Sequence, residues 1–328
     1  MNTVRKRRRC KMVLSDHAQA VFAATKTRSN DGIDKMRHAA KAIMANESAI
    51  IVGVNGSYAR REATSGSDVD LFFLYTGEHK EEAVEYQRRV RERLKDDGFE
   101  MPAPGGVFSE PLSVSMTREM IGGQDDSNVQ ITRRMLLLLE GEWIFNESGF
   151  NQARTQLLRK YVPDNLRDDK ICLFLLNDVI RYWRTICVDF EYKVQNDDKP
   201  RAIRLIKLRF SRMLLFLAGV LAIGATHGQN VDEKVETLSQ YLALSAIERI
   251  QEIAGEKTYP ALELYAEFLT ALDDTRIREA LSQKSPAGEE SQEFKRLRKL
   301  AHDFRDALVE LLQSHYDDDN PTVAALML

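Results

Sequence analysis

From Val129 onward, nearly every segment of the chain carries apolar residues three and four apart, as in "VQITRRMLLLLEGEWIF" and "AIRLIKLRFSRMLLFLAGVLAI". That spacing puts one greasy stripe on each helix, and such helices are stable only when packed on one another. The breaks between them are loop-like: "VPDN" at Pro163, "QNDDK" before Pro200 and "KSPAGEE" at Pro286. The second half therefore reads as a helical bundle. Earlier residues follow another rhythm. "AIIVGV" (49–54) and "DVDLFFLY" (68–75) are short, β-branched or aromatic runs, the pattern of buried strands. "EHKEEAVEYQRRVRERLKDDG" (78–98) is a charged amphipathic helix ending in a capping glycine. "GGVFSEPLSVSM" (105–116) is a candidate third strand. Upstream, "DHAQAVFAATKTRSNDGIDKMRHAAKAIMANES" reads as one or two helices, with Ser29-Asn30-Asp31-Gly32 as a break. The expected fold is α+β: a small mixed-sheet domain followed by an all-α helical bundle.

Composition narrows the function. The chain has 328 residues, 43% of them hydrophobic, enough for a large core. A net charge of −3 excludes a molecule that grips nucleic acid with its whole surface. Three scattered cysteines, Cys10, Cys172 and Cys187, make neither a disulfide framework nor a zinc site, and point to a reducing, cytoplasmic setting. The longest apolar run, "MLLFLAGVLAIGA" (213–225), is too short to span a bilayer and reads as a buried helix. "RKRRRCK" (5–11) lacks a following hydrophobic stretch, so it is read as a solvated basic tail rather than a signal segment, with an arm for nucleic acid or another polyanion as the alternative.

The chemistry is concentrated in "VGVNGSYARREATSGSDVDLFFLY" (52–75). Asp68 and Asp70 are two residues apart on a strand, so both carboxylates leave one face. Two such carboxylates repel, and a divalent cation such as Mg²⁺ relieves the repulsion while accepting waters and phosphate oxygens. Gly56 lets the backbone approach a phosphate, and Ser57 offers a hydroxyl at the start of a short helix. A phosphate cradle facing a metal platform suits displacement at phosphorus. Among the basic helical residues near the cleft, Lys193 and Lys207 are the expected nucleotide contacts.

"GSYARREATSGSDVDL" resembles the signature of the DNA polymerase β-like nucleotidyltransferase superfamily. Its Gly-Ser-x-Ala-Arg-x-Glu lead-in resembles the branch of signal-protein uridylyltransferases and glutamine synthetase adenylyltransferases. Gly56, Ser57, Arg60, Glu62, Ser67, Asp68 and Asp70 match the pattern; Arg61 departs from it, standing where those families carry Gly. The resemblance implies two Mg²⁺ ions, an NTP co-substrate with ATP among the candidates, and a third metal-binding carboxylate on a later strand. Glu110 is the expected third ligand and catalytic carboxylate beside Asp68 and Asp70, with Asp125 or Asp126 as the fallback. Arg60 and Glu62 are expected to fix the turn.

These readings divide the chain into a basic tail and N-terminal helices (1–47), a nucleotidyltransferase domain (48–160) and a helical bundle forming a substrate-binding domain (161–328). The expected reaction moves a nucleoside monophosphate from an NTP to an acceptor hydroxyl, releasing pyrophosphate. The resemblance favours a protein acceptor, with RNA, a nucleotide or another small molecule as the alternative, and no membrane partner. A different class remains open: a non-catalytic regulator that senses a nucleotide or neutralises a toxin. Neither the base of the NTP nor the oligomeric state is encoded in any motif.

Overall fold

The computed structural model describes residues 13–102, 105–119, 121–196 and 200–327; the basic run 5–11 and Cys10 lie outside them. The chain enters through α1 (Asp16–Met44), rises along β1 (Ile50–Asn55), makes one helical turn, α2 (Gly56–Ala59), and returns along β2 (Asp70–Tyr75). Then come α3 (Lys80–Asp96), β3 (Leu112–Ser113), α4 (Met116–Glu119), α5 (Asn128–Leu139), β4 (Glu142–Phe145) and α6 (Glu147–Tyr161). The sheet order is β3-β2-β1-β4, with β1 antiparallel to both β2 and β4, and β2 parallel to β3.

Every residue of β1 is buried, which explains its unbroken apolar character. Val52, Val54, Leu71 and Phe73 face α1 and α3, meeting Met36, Ala40, Val90 and Leu94. Ile51, Phe72 and Leu74 face the other way and enter one continuous core with the bundle. The sheet is thus the middle layer, and its bundle side shares its core with the helices behind it.

Those helices are α7 (Leu173–Asn196), α8 (Arg201–Lys207), a π-turn (Leu208–Arg212), α9 (Met213–Gly224), α10 (Val231–Ala243) and α11 (Ala246–Ala254). They continue as α12 (Tyr259–Asp273), α13 (Thr275–Leu281), α14 (Ala287–Glu290), α15 (Gln292–His315) and α16 (Thr322–Ala325). The run read as a buried helix is α9, whose Leu214 to Gly224 stretch is almost wholly enclosed. Among the described residues no helix is long and apolar enough to cross a membrane. Asn230 with Glu233 and Ser245 with Glu248 form capping boxes that start α10 and α11 cleanly.

Three local expectations change. α1 runs unbroken through Ser29-Asn30-Asp31-Gly32. Gly32 is there for contact, since a Cβ would lie 2.4 Å from the Tyr58 ring. "EWIF" leaves the helix as β4, because α5 closes at Leu139 and the chain turns at Gly141, where a Cβ would meet Leu137 O at 2.9 Å. The third strand shrinks to Leu112–Ser113. α1 also ties the layers together: Ser15 N and Oγ donate to Glu263 of α12 at 2.5 and 2.6 Å, and Arg37 pairs with Glu142 of β4 at 2.9 Å.

Two arginines cap carbonyl-rich helix ends inside the protein. Arg249, fully buried, donates to Leu139 O at 2.7 Å, Tyr241 O at 2.9 Å and Leu244 O at 3.0 Å. Arg154 reaches Leu138 O at 3.0 Å and also Leu242 O. They answer the unpaired carbonyls at the ends of α5 and α10. Arg249→Met should lower the unfolding free energy by about 2–4 kcal/mol, because several buried carbonyls lose their donor. Urea denaturation reads this directly, and a loss below about 1 kcal/mol would show that water replaces the guanidinium.

Candidate active site

Asn55, the last residue of β1, stands opposite Asp70, the first of β2. Between them Gly56 adopts φ +76°, and a Cβ there would lie 2.7 Å from Asp70 Oδ2. Only glycine permits both the backbone conformation and the approach. Asp70 points to the same side of β2 as Phe72 and Leu74, into a cleft of about 610 Å³. Asn55, Asp70, Glu140, Tyr182, Lys207 and Arg212 are among its walls. Asp68 lies just ahead of the strand, exposed, while Val69 N–H donates to Glu100 O at 2.9 Å. Burial first, then the neighbouring Asp68 charge, push the Asp70 carboxyl up to about 6. Glu140 pushes the same way, and Arg212 and Arg60 oppose it.

Behind the pair runs a buried ionic network. Arg60 donates from Nε to Glu62 at 2.9 Å and from Nη1 to Glu140 at 2.8 Å. Glu140 also accepts from Gly56 N–H at 2.9 Å and from Arg212 at 2.8 Å. Glu62 accepts from Tyr265 Oη at 2.6 Å and Ser211 Oγ at 3.1 Å. Burial would raise Glu140, but Arg212, Arg60 and the Gly56 N–H hold it below the usual carboxylate range. The Tyr265 hydroxyl is pushed well up, by burial first and by Glu62 second. Ser211 and Arg212 both lie on the π-turn, an irregularity that suits a helix obliged to aim consecutive side chains at one site. The rest of the loop is clamped from outside: Ala63 N–H donates to Ser29 Oγ at 3.1 Å, and Ser65 N–H to Asp273 at 2.9 Å.

Arg61 takes φ 62°, the left-handed region where the related pattern has Gly. Its guanidinium holds the strained turn by donating to Tyr58 O at 3.2 Å, Ala59 O at 3.3 Å and Glu142 at 2.8 Å.

The sequence-selected residues are only partly gathered. Gly56, Asp68, Asp70 and Lys207 come together, and Ser57 is half-buried in the first turn of α2. Burial and then Arg278 push the Lys207 amine down to about 8, while Asp68 and Asp70 pull it back. Lys193 lines the cleft and pairs with Asp189 at 2.7 Å. The Gly56 N–H, expected to hold phosphate, is already taken by Glu140. Glu110 is exposed in the turn before β3 and does not line the cleft, because β3 joins the sheet at Leu74 and Tyr75, the far end of β2 from Asp70. Asp125 is exposed, and Asp126 is committed elsewhere, bound by both Arg134 nitrogens at 2.8 and 2.9 Å.

The carboxylate that the sequence reading missed is Glu140. Its one signal was an acid closing the apolar run "MLLLLE". Among the described residues no three His, Cys, Asp or Glu side chains are grouped to hold a metal ion. Asp68 and Asp70 remain a fit for Mg²⁺: two hard oxygen donors whose mutual repulsion a cation relieves, with space in the cleft for phosphate oxygens.

Two outcomes follow from this geometry. The Asp70 pKa is raised above its unfolded value, so ionising it opposes folding: the penalty is absent below about pH 4, grows to about pH 6 and is full above that. Without divalent cations, Asp70→Asn should therefore be more stable than wild type by about 1–2 kcal/mol at pH 7.5 and nearly equal to it at pH 4. Equal stability at both values in chelator-treated urea titrations would rule out the raised Asp70 pKa. Arg60→Met strands Glu62 and Glu140 and should cost about 3–5 kcal/mol, whereas Arg61→Gly exchanges an ion pair for a relaxed turn and should stay within about 1 kcal/mol. Thermal unfolding of the two variants side by side checks the contrast.

No curated protein matches the chain. Residues 39–101, from the end of α1 past β2 and α3 and including the glycine turn and both aspartates, match the family model of the nucleotidyltransferase domain.

Proposed function

We propose that the chain transfers a nucleoside monophosphate from an NTP to an acceptor hydroxyl, with a protein as the acceptor and pyrophosphate as the second product. The observation that carries this reading is Asp70 facing a cationic wall, Lys193, Arg204, Lys207 and Arg212, in one cleft, with Asp68 beside it and both aspartates acting on Lys207. The wall neutralises a triphosphate, and the arginine forks suit its oxygens. Bound Mg²⁺ would be held by Asp68 and Asp70 and would supply neutralisation of charge on the reacting phosphate oxygens. The acceptor oxygen forms a bond to the α-phosphorus, the bond to the β-phosphate oxygen breaks, and pyrophosphate leaves. The acceptor proton departs to solvent in the same step: Asp68 and Asp70 would be committed to the metal, and Glu140 and Glu62 are locked to Arg60. The uridylyl- and adenylyltransferase likeness of Gly56 to Glu62 supports the protein acceptor over RNA or a small molecule. A cytoplasmic enzyme fits the thiol-poor composition.

A second reading has its own support. Among the described residues no third carboxylate is free to join the aspartates, since Glu140 beside Asp70 is bound by Arg60, Arg212 and the Gly56 N–H, and this favours a module that binds a nucleotide without transferring it. One experiment separates the two. The protein is incubated with Mg²⁺, each α-³²P NTP in turn and a cell lysate, beside an Asp68→Ala/Asp70→Ala control. Transfer is expected as label on a protein band that the control lacks. Intact nucleotide binding with no label on any fraction would overturn catalysis in favour of sensing.

A further inference from the structure

The helix that walls the cleft has a second basic side. Arg204, Lys207 and Arg212 line the cleft, whereas Arg201 and Arg209 do not. Phe210 of the π-turn stacks on Phe304 of α15 with ring centroids 5.0 Å apart, which brings their chain neighbours Arg209 and Arg305 to one seam. Arg298 precedes Arg305 by two helical turns and so shares its face of α15. Some of this charge is answered locally. Arg201 pairs with Glu191 at 2.9 Å and lies 4.0 Å from Glu289, and Arg305 pairs with Asp306 at 2.7 Å. Arg209 and Arg298 have no ion-pair partner among the described residues, and Arg209 Nη1 is buried without any acceptor. Burial first, then Arg298, Arg305 and Arg201, hold the Arg209 guanidinium below its ordinary value. A buried unmatched N–H beside like charges is costly, and an oxyanion would satisfy both defects.

We propose that Arg209, Arg298 and Arg305, with Arg201 at the edge, form a second anion site for a small polyphosphate, on the reverse of the π-turn that carries Arg212 into the cleft. Guanidinium forks from two packed helices, close enough for their charges to act on one another, suit the several oxygens of one compact anion. Glu191, Glu289 and Asp306 around the rim, on a chain of net charge −3, oppose an extended polyanion such as RNA.

The probe is inorganic tripolyphosphate, titrated calorimetrically into the full chain without Mg²⁺. Wild type should show two classes of site. Arg298→Glu, an exposed position that folding tolerates, should weaken one class at least tenfold and leave the other. Arg209→Met should affect the same class. Lys193→Ala/Arg204→Ala in the cleft should weaken only the other class. A wild-type titration with one class that Arg298→Glu leaves unchanged would overturn the proposal. A single-stranded RNA that displaces tripolyphosphate from the Arg298-dependent class with tighter affinity would overturn the small-anion assignment.

Discussion

The structure depends on one buried arginine. Arg60 sits in the turn after β1 and holds Glu62 on one side and Glu140 on the other, all three buried, with Glu140 at the wall of the cleft. An ion pair in such a place is costly to desolvate and tolerable only when every lone pair is met. Here Gly56 N–H, Arg212, Ser211 and Tyr265 complete the set. Because those partners come from the loop, the π-turn and α12, the network fixes the turn, the sheet and the bundle in a single geometry. The position of Asp70 follows from it.

The site itself is built against stability. Two carboxylates stand close together, one pushed up to about 6 by burial and by its neighbour, while a half-buried lysine opposite is pushed down to about 8. Burial and like-charged neighbours destabilise the charged form of both groups, although the lysine and the aspartates attract, and this favours whatever neutralises them. On the function proposed above, a metal-bound triphosphate would bring positive charge to the aspartates and negative charge to the lysine and arginines. The residues that support the site carry no such defect, since each hydrogen-bonding group of Glu62 and Glu140 is matched. The strain is therefore local to the groups that would touch the ligand.

Much of this was legible in order of sequence distance. The glycine turn and the aspartates lie within one short loop, and local spacing was enough to place them. Arg60 and Glu62 were readable as turn-fixing residues, but their partners on α5, the π-turn and α12 were not, because long-range contacts leave no periodic trace. Glu140 is hidden for that reason, and Glu110 falls outside the site because the third strand is only Leu112–Ser113. Ser29-Asn30-Asp31-Gly32 misled because local propensity suggested a break. In the structure Ser29 bonds the site loop and Gly32 admits Tyr58, so small residues serve packing inside a continuous helix. "EWIF" was absorbed into a helix by its apolar run, and only the turn at Gly141 separates it.

The most direct measurement is calorimetric binding of each NTP with and without Mg²⁺, in wild type and in Asp68→Ala/Asp70→Ala. Mg²⁺ should tighten binding of at least one NTP in wild type by tenfold or more and have no such effect once both aspartates are gone. Equal affinity with and without Mg²⁺ in the wild-type protein, for every NTP, would mean that the aspartate pair is not a metal platform for a nucleotide.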